Sequence, residues 1–199
     1  MEEKINIVGI GGVGRSGKDT LAEMFLNDGY FGVSGGDITR DFARERHSND
    51  PHPIARVNLA ETSNWLRQKY GNDVFLKMSI NKYEEAVKKG ERYKGLLCWS
   101  IRAPIEADFI VNHGGRLIWI DVSDKVRYKR AMNDLREGEP HLSFEDYLAQ
   151  ESTVYTPQPG IPEEIQMNLP YVRSKATDII ENNSDSLEEF SEKAKHLIK

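Results

Sequence analysis

At 199 residues, 38% of them hydrophobic and 30% charged, the chain is long enough for one domain with a real core and too short for two large ones. A net charge of −5 argues against a nucleic-acid partner held by bulk electrostatics, while leaving room for a local basic pocket. No apolar run approaches the roughly 20 residues of a membrane span, the opening residues lack the basic and apolar pattern of a secretory signal, and the single cysteine, Cys98, excludes an internal disulfide framework; a cytoplasmic protein without a membrane partner is expected, and nothing sets an oligomeric state.

Residues 5–11 are rich in isoleucine and valine and end in glycine, which predicts a buried strand. A helix over 18–27 follows, with Leu21, Met24 and Phe25 on one face. Residues 30–34 read as a second strand closed by Gly35, Gly36 and Asp37; a charged helix over 38–47 is then broken off by the prolines at 51 and 53. Helices over 54–70 and 74–89 come next. A third strand over 95–101 leads to a helix with Pro104 in its first turn, a fourth strand covers 117–122, and a basic helix covers 124–137. Ser143, with Asp146 three residues on, opens a short helix over 143–150. The segment 154–170 holds Pro157, Pro159, Pro162 and Pro170 and is predicted to be a loop. A last strand covers 178–181. Ser186 and Glu189 then form a capping box before a helix whose buried stripe is Leu187, Phe190, Ala194, Leu197 and Ile198.

Such alternation predicts an α/β architecture: a five-stranded parallel sheet with helices on both faces and ligands at the carboxyl ends of the strands. The loops to inspect are 11–19, 34–41, 98–106 and 121–136. In the first, Gly12-Val13-Gly14-Arg15-Ser16-Gly17-Lys18 matches G-x-x-x-x-G-K between a predicted strand and a predicted helix. Glycines allow successive N–H groups to turn around phosphate oxygens, the helix N-terminus adds positive potential, and Lys18 reaches the outer phosphates. Asp19 stands where a Ser or Thr usually meets Mg²⁺, and Thr20 comes one residue later; either can serve. An overlapping G-x-G-x-x-G, Gly9 to Gly14, with Asp37 beyond the second strand, suggests a dinucleotide site instead. That reading strands Gly17 inside a helix at a cost of about 1 kcal/mol and leaves Lys18 without a role. A glycine-rich turn without a ligand is the plain alternative.

With Ser16-Gly17-Lys18-Asp19-Thr20 in view, the chain resembles the P-loop nucleoside and deoxynucleoside monophosphate kinase superfamily, and its layout is similar to dephospho-CoA kinase-like proteins. Gly36 to Arg40, Arg56 to Leu59 with Leu66 to Gly71, and Ile101-Arg102-Ala103-Pro104-Ile105-Glu106 carry further likeness. The resemblance implies a single P-loop NTPase domain over 1–199, with an acceptor-binding helical insertion at 38–92 and a lid and loop region at 123–172. It implies ATP and Mg²⁺, held by Gly12, Gly14, Arg15, Ser16, Gly17, Lys18, Asp19 and Thr20, and a small phosphorylated acceptor. An acid commonly ends the third strand in these kinases; here the strand ends Cys98-Trp99-Ser100, and Asp121 is the nearest carboxylate in a suitable loop.

Phosphoryl transfer asks for positioning and positive charge. Asp37, Arg40, Arg44, Arg56 and Arg102 are the expected acceptor contacts, Asp37 doubling as proton acceptor or helix cap. Arg127 and Arg130, three apart on one helix, are the expected lid arginines. For each arginine the alternative is an ion-paired surface residue. The expected acceptor is a nucleoside or deoxynucleoside monophosphate; the alternatives are dephospho-CoA kinase-like transfer to a hydroxyl and a non-catalytic nucleotide- or NAD-binding protein.

Overall fold

Strand β1 (Ile7–Gly12) is buried along its whole length. It has to be, because it is the middle of a five-stranded sheet ordered β2-β3-β1-β4-β5. Its partners are β2 (Phe31–Ser34), β3 (Leu96–Ile101), β4 (Arg116–Asp121) and β5 (Asp178–Glu181), and every pairing is parallel. The computed structural model describes residues 5–135, 140–155, 159–160, 162–163 and 166–198.

Helices cover both faces, as a parallel sheet requires. On one side α1 (Lys18–Asn27) brings Leu21, Ala22 and Phe25 against the sheet, beside Phe190 and Ala194 of α9 (Leu187–Ala194) and Leu197 of the 3₁₀ turn after it. On the other side lie α2 (Gly35–Arg46), α3 (Arg56–Tyr70), α4 (Val74–Lys88), α5 (Pro104–Asn112) and α8 (Leu169–Ser174), supplying Ile38, Leu66, Phe75, Ile110 and Val172. Each such side chain, fully buried, contributes about 1.5–3 kcal/mol. Cys98 lies in this layer, and burial pushes its thiol up to about 12, against a hydrogen bond from Ser79. Helices α6 (Asp124–Asn133) and α7 (Phe144–Tyr155) pack on each other between β4 and α8. Among the described residues no helix is long and apolar enough to cross a membrane.

Four local expectations change. Residues 35–37 are not a loop: α2 begins at Gly35, because Ser34, in extended conformation, accepts the Asp37 N–H at 3.3 Å and caps the helix one turn early. Asp37 is therefore in the first helical turn rather than the cap. Helix α6 ends at Asn133, where Arg15 captures the following residue, Asp134, through both its carboxylate and its carbonyl; the predicted end at 136–137 lies outside the described residues. The predicted loop 154–170 hides a helix start. Asn168 caps the Tyr171 N–H at 3.0 Å and Pro170 occupies the first turn, where its missing N–H costs nothing. Leu187 is exposed rather than part of the buried stripe, whereas Phe190, Ala194 and Leu197 are buried.

Candidate active site

The carboxyl ends of the parallel strands β1, β3 and β4 lie at one edge of the sheet. Between β1 and α1 the chain makes a tight turn whose last residue, Gly17, sits at φ +98° and caps the helix without any side-chain bond. A Cβ on Gly17 would come within 2.5 Å of Asn182 Nδ2, and one on Gly12 within 2.6 Å of Ser16 Oγ, so both positions demand glycine. Gly17 brings no side-chain cap to the start of α1, and the N-terminus of a helix is a place where anions can bind. Lys18 is buried within the turn; its ammonium donates to the Val13 carbonyl at 2.6 Å and lies 3.4 Å from Ser16 Oγ. A desolvated cation folded onto its own loop, inside a glycine-lined cradle, suits a polyphosphate. Gly14 and Arg15 complete the turn, Arg15 in the left-handed region at φ +61°.

Asp19 and Thr20 follow in the first turn of α1, Asp19 exposed and accepting the Trp99 indole N–H at 3.0 Å. Trp99 thus stands two residues before the end of β3, in the Cys98-Trp99-Ser100 stretch where the resemblance placed an acid. The next residue, Ser100, is bulged out of the β1 register at φ +70°, a strained conformation for a non-glycine residue. Mg²⁺ keeps most of its waters and needs only one or two protein oxygens beside phosphate, so Asp19 and Thr20 fit it. Among the described residues no three metal-capable side chains are clustered. Asp121, at the end of β4, has both oxygens engaged. Arg173 donates to it twice, at 3.0 and 2.8 Å, and Trp119 Nε1 donates at 2.7 Å. The Arg173 bonds, aided by Trp119 and opposed by burial, hold the Asp121 carboxyl below the usual carboxylate range.

Behind the cradle, Arg130 donates to the carbonyls of Arg15 (3.0 Å) and Ser184 (2.6 Å) and to Asn182 Oδ1 (3.1 Å). Burial pushes its guanidinium pKa down, against the nearby Asp185. Its neighbour Arg127 points the other way, into α7, where it is buried against Glu151 at 3.2 Å.

Beyond β2, Asp37 is exposed in the first turn of α2 and pairs with Arg40, while Arg44 pairs with Asp41 at 3.0 Å. Arg56 opens α3, its side chain lying outside the described residues. Arg102 follows β3, 3.7 Å from Met167 Sδ, and its carbonyl receives the Asn168 N–H. Sequence reasoning missed the group beneath. Arg67 and Glu106 form an ion pair at 3.2 Å with both side chains buried. Glu106 also accepts the N–H groups of Arg102 and Ala103, which caps α5, and Arg67 lies over the Phe75 ring. The signal for Glu106 was in the sequence, as a glutamate two residues after Pro104; the signal for Arg67, 39 residues away, was not. Asn182 and Arg173 were likewise missed.

The sheet order, the glycine-lined turn at the end of its central strand and the buried lysine in that turn make this a P-loop α/β fold. Among particular proteins, the chain is 29% identical to a UPF0200 protein of Pyrobaculum aerophilum over 94% of both chains. It superposes on TT1252 of Thermus thermophilus with a TM-score of 0.57 at 20% identity, covering 99% of this chain and 100% of that one. A shikimate kinase of Acinetobacter baumannii, solved with shikimate, matches with a TM-score of 0.50 at 16% identity over 98% and 94%. No protein-family model matches the sequence.

Proposed function

We propose that this protein is an ATP-dependent phosphotransferase acting on a small acceptor. The observation that carries the reading is Lys18, buried in a cradle of N–H groups that two obligate glycines keep open. In transfer, the loop N–H groups and the Lys18 ammonium hold the phosphates and neutralise the charge that builds on them. When bound, Mg²⁺ would screen the same charge from the Asp19 and Thr20 side.

For the acceptor, a nucleoside or deoxynucleoside monophosphate is the preferred reading. It is supported by Arg40 and Arg102, one in the first turns after β2 and one directly after β3, from which two guanidinium forks can grip one phosphate. A second reading, transfer to a hydroxyl, is favoured by Asp37, whose exposed carboxylate at the end of β2 can accept a proton from the attacking oxygen. The test is ADP release with ATP and Mg²⁺ against a panel of nucleoside monophosphates, deoxynucleoside monophosphates and dephospho-CoA, followed by two variants on whichever acceptor works. A phosphate acceptor makes Arg102→Ala the more damaging, by about 10²-fold or more in kcat/KM. A hydroxyl acceptor makes Asp37→Asn the more damaging, by about 10²–10⁴-fold. ADP release with none of the acceptors, in a protein that binds ATP, would sink the kinase reading for these substrates.

A further inference from the structure

We infer that Asn182 and Arg130 are positioning residues of the phosphate loop, clamping the backbone carbonyls of Ser16 and Arg15 from behind so that the N–H groups in front stay turned toward a bound polyphosphate. The inference rests on reading that loop as a nucleotide site. A turn that converges its N–H groups must turn carbonyls outward, and a buried carbonyl needs a donor. Both donors are here. Asn182 is buried, and its Nδ2 donates to the Ser16 carbonyl at 2.8 Å. Its own N–H bonds the Asp121 carbonyl at 2.8 Å, which fixes its backbone to the end of β4.

Arg130 sets the orientation of that amide. Its Nη2 reaches Asn182 Oδ1 at 3.1 Å, which leaves the Asn182 NH₂ to face Ser16. Its Nη1 holds the Arg15 carbonyl at 3.0 Å, and Arg15 is the loop residue in the left-handed region, where a non-glycine backbone needs outside support. The close seat of Asn182 also accounts for Gly17: any side chain there would strike its amide. These contacts join positions 52 to 166 residues apart, which is why no local motif announced them. Helix α6 is tied to the loop by Arg130 and, just past its end, by the Arg15–Asp134 pair.

The test is calorimetry on the full chain with two probes, ATP and inorganic pyrophosphate, well below the melting transition of each variant. Asn182→Asp keeps the shape and sets an acceptor against the Ser16 carbonyl; affinity for both probes should fall about tenfold or more. Arg130→Lys keeps the charge but loses the fork, and both affinities should fall several-fold. In turnover, KM for ATP should rise in both variants while KM for the acceptor stays unchanged, a split that general destabilisation would not produce. Unchanged affinity for both probes overturns the inference. So does a loss confined to ATP, which would place these residues against the base or ribose. If Asn182→Asp does not fold, Arg130→Lys decides alone. A wild-type chain that binds neither probe removes the nucleotide reading together with this one, whereas a chain that binds both and transfers nothing removes only the proposed transfer.

Discussion

The two halves of the proposed site are built by different rules. On the proposed nucleotide side, polar groups are buried or half-buried and bonded to backbone: Lys18 to Val13, Asn182 to Ser16, Arg130 to Arg15 and Ser184. On the proposed acceptor side, two arginines of α2 pair with near neighbours in solvent, Arg40 with Asp37 and Arg44 with Asp41, contacts worth about 0.3–0.5 kcal/mol each, while Arg46 reaches Glu61 and the Trp65 ring of α3. If the proposed function holds, the group that recognises an unvarying triphosphate can be fixed in advance, because nothing about its ligand changes. A group that recognises the variable partner is left exposed and cheap to rearrange. Beneath the proposed acceptor side the first rule returns, most strongly in the Arg67–Glu106 pair that ties α3 to α5.

That pair is the sharpest place to break the comparison. Glu106→Gln should leave the Arg67 guanidinium buried without a counter-charge and destabilise the fold by about 3–5 kcal/mol, read as a shift in the urea midpoint. A variant as stable as the parent would show that the acceptor side has no rigid base. Next in size, Lys18→Ala should cut turnover by about 10²–10³-fold while leaving the melting temperature nearly unchanged, since it removes charge stabilisation and little packing. A large stability loss there would make the lysine a structural member of the loop.

Arg173→Ala is the smallest, an exposed pair at the rim. Arg173 lowers the Asp121 carboxyl in the fold, so the stability this pair adds is present at neutral pH and fades as pH falls through the depressed folded-state value. Without Arg173, Asp121 should titrate closer to the ordinary ~3.9, followed by carboxyl carbon NMR, with less than about 1 kcal/mol of stability lost at pH 7. An unmoved titration would assign the shift to Trp119.

The contrast also explains what could be read from the sequence alone. The first strand, the glycine turn and Lys18 are local: a β-branched run, glycines at fixed spacing and a helix start within 14 residues, from Ile5 to Lys18. The helix starting at Gly35 was missed because the residue that caps it, Ser34, sat inside a predicted strand, and glycines read as a turn. Leu169–Ser174 was missed because its proline was counted as a breaker rather than as a first-turn residue. The clamp behind the loop and the Arg67–Glu106 strut were out of reach for a different reason. Their members are brought together only by the packing of α6 and β5 around the loop and of α3 against α5.

The single cysteine, buried in β3 with its thiol held up near 12, gives the molecule a built-in clock. A thiol-specific reagent needs the thiolate and a path to it, and here β1 and β2 flank the strand while helices cover the face. Labelling of the native protein therefore waits for the centre of the sheet to open, and its rate reports that opening without any engineered probe. Run with and without nucleotide, the same reaction measures how far filling the cradle slows the opening of the strands that carry it.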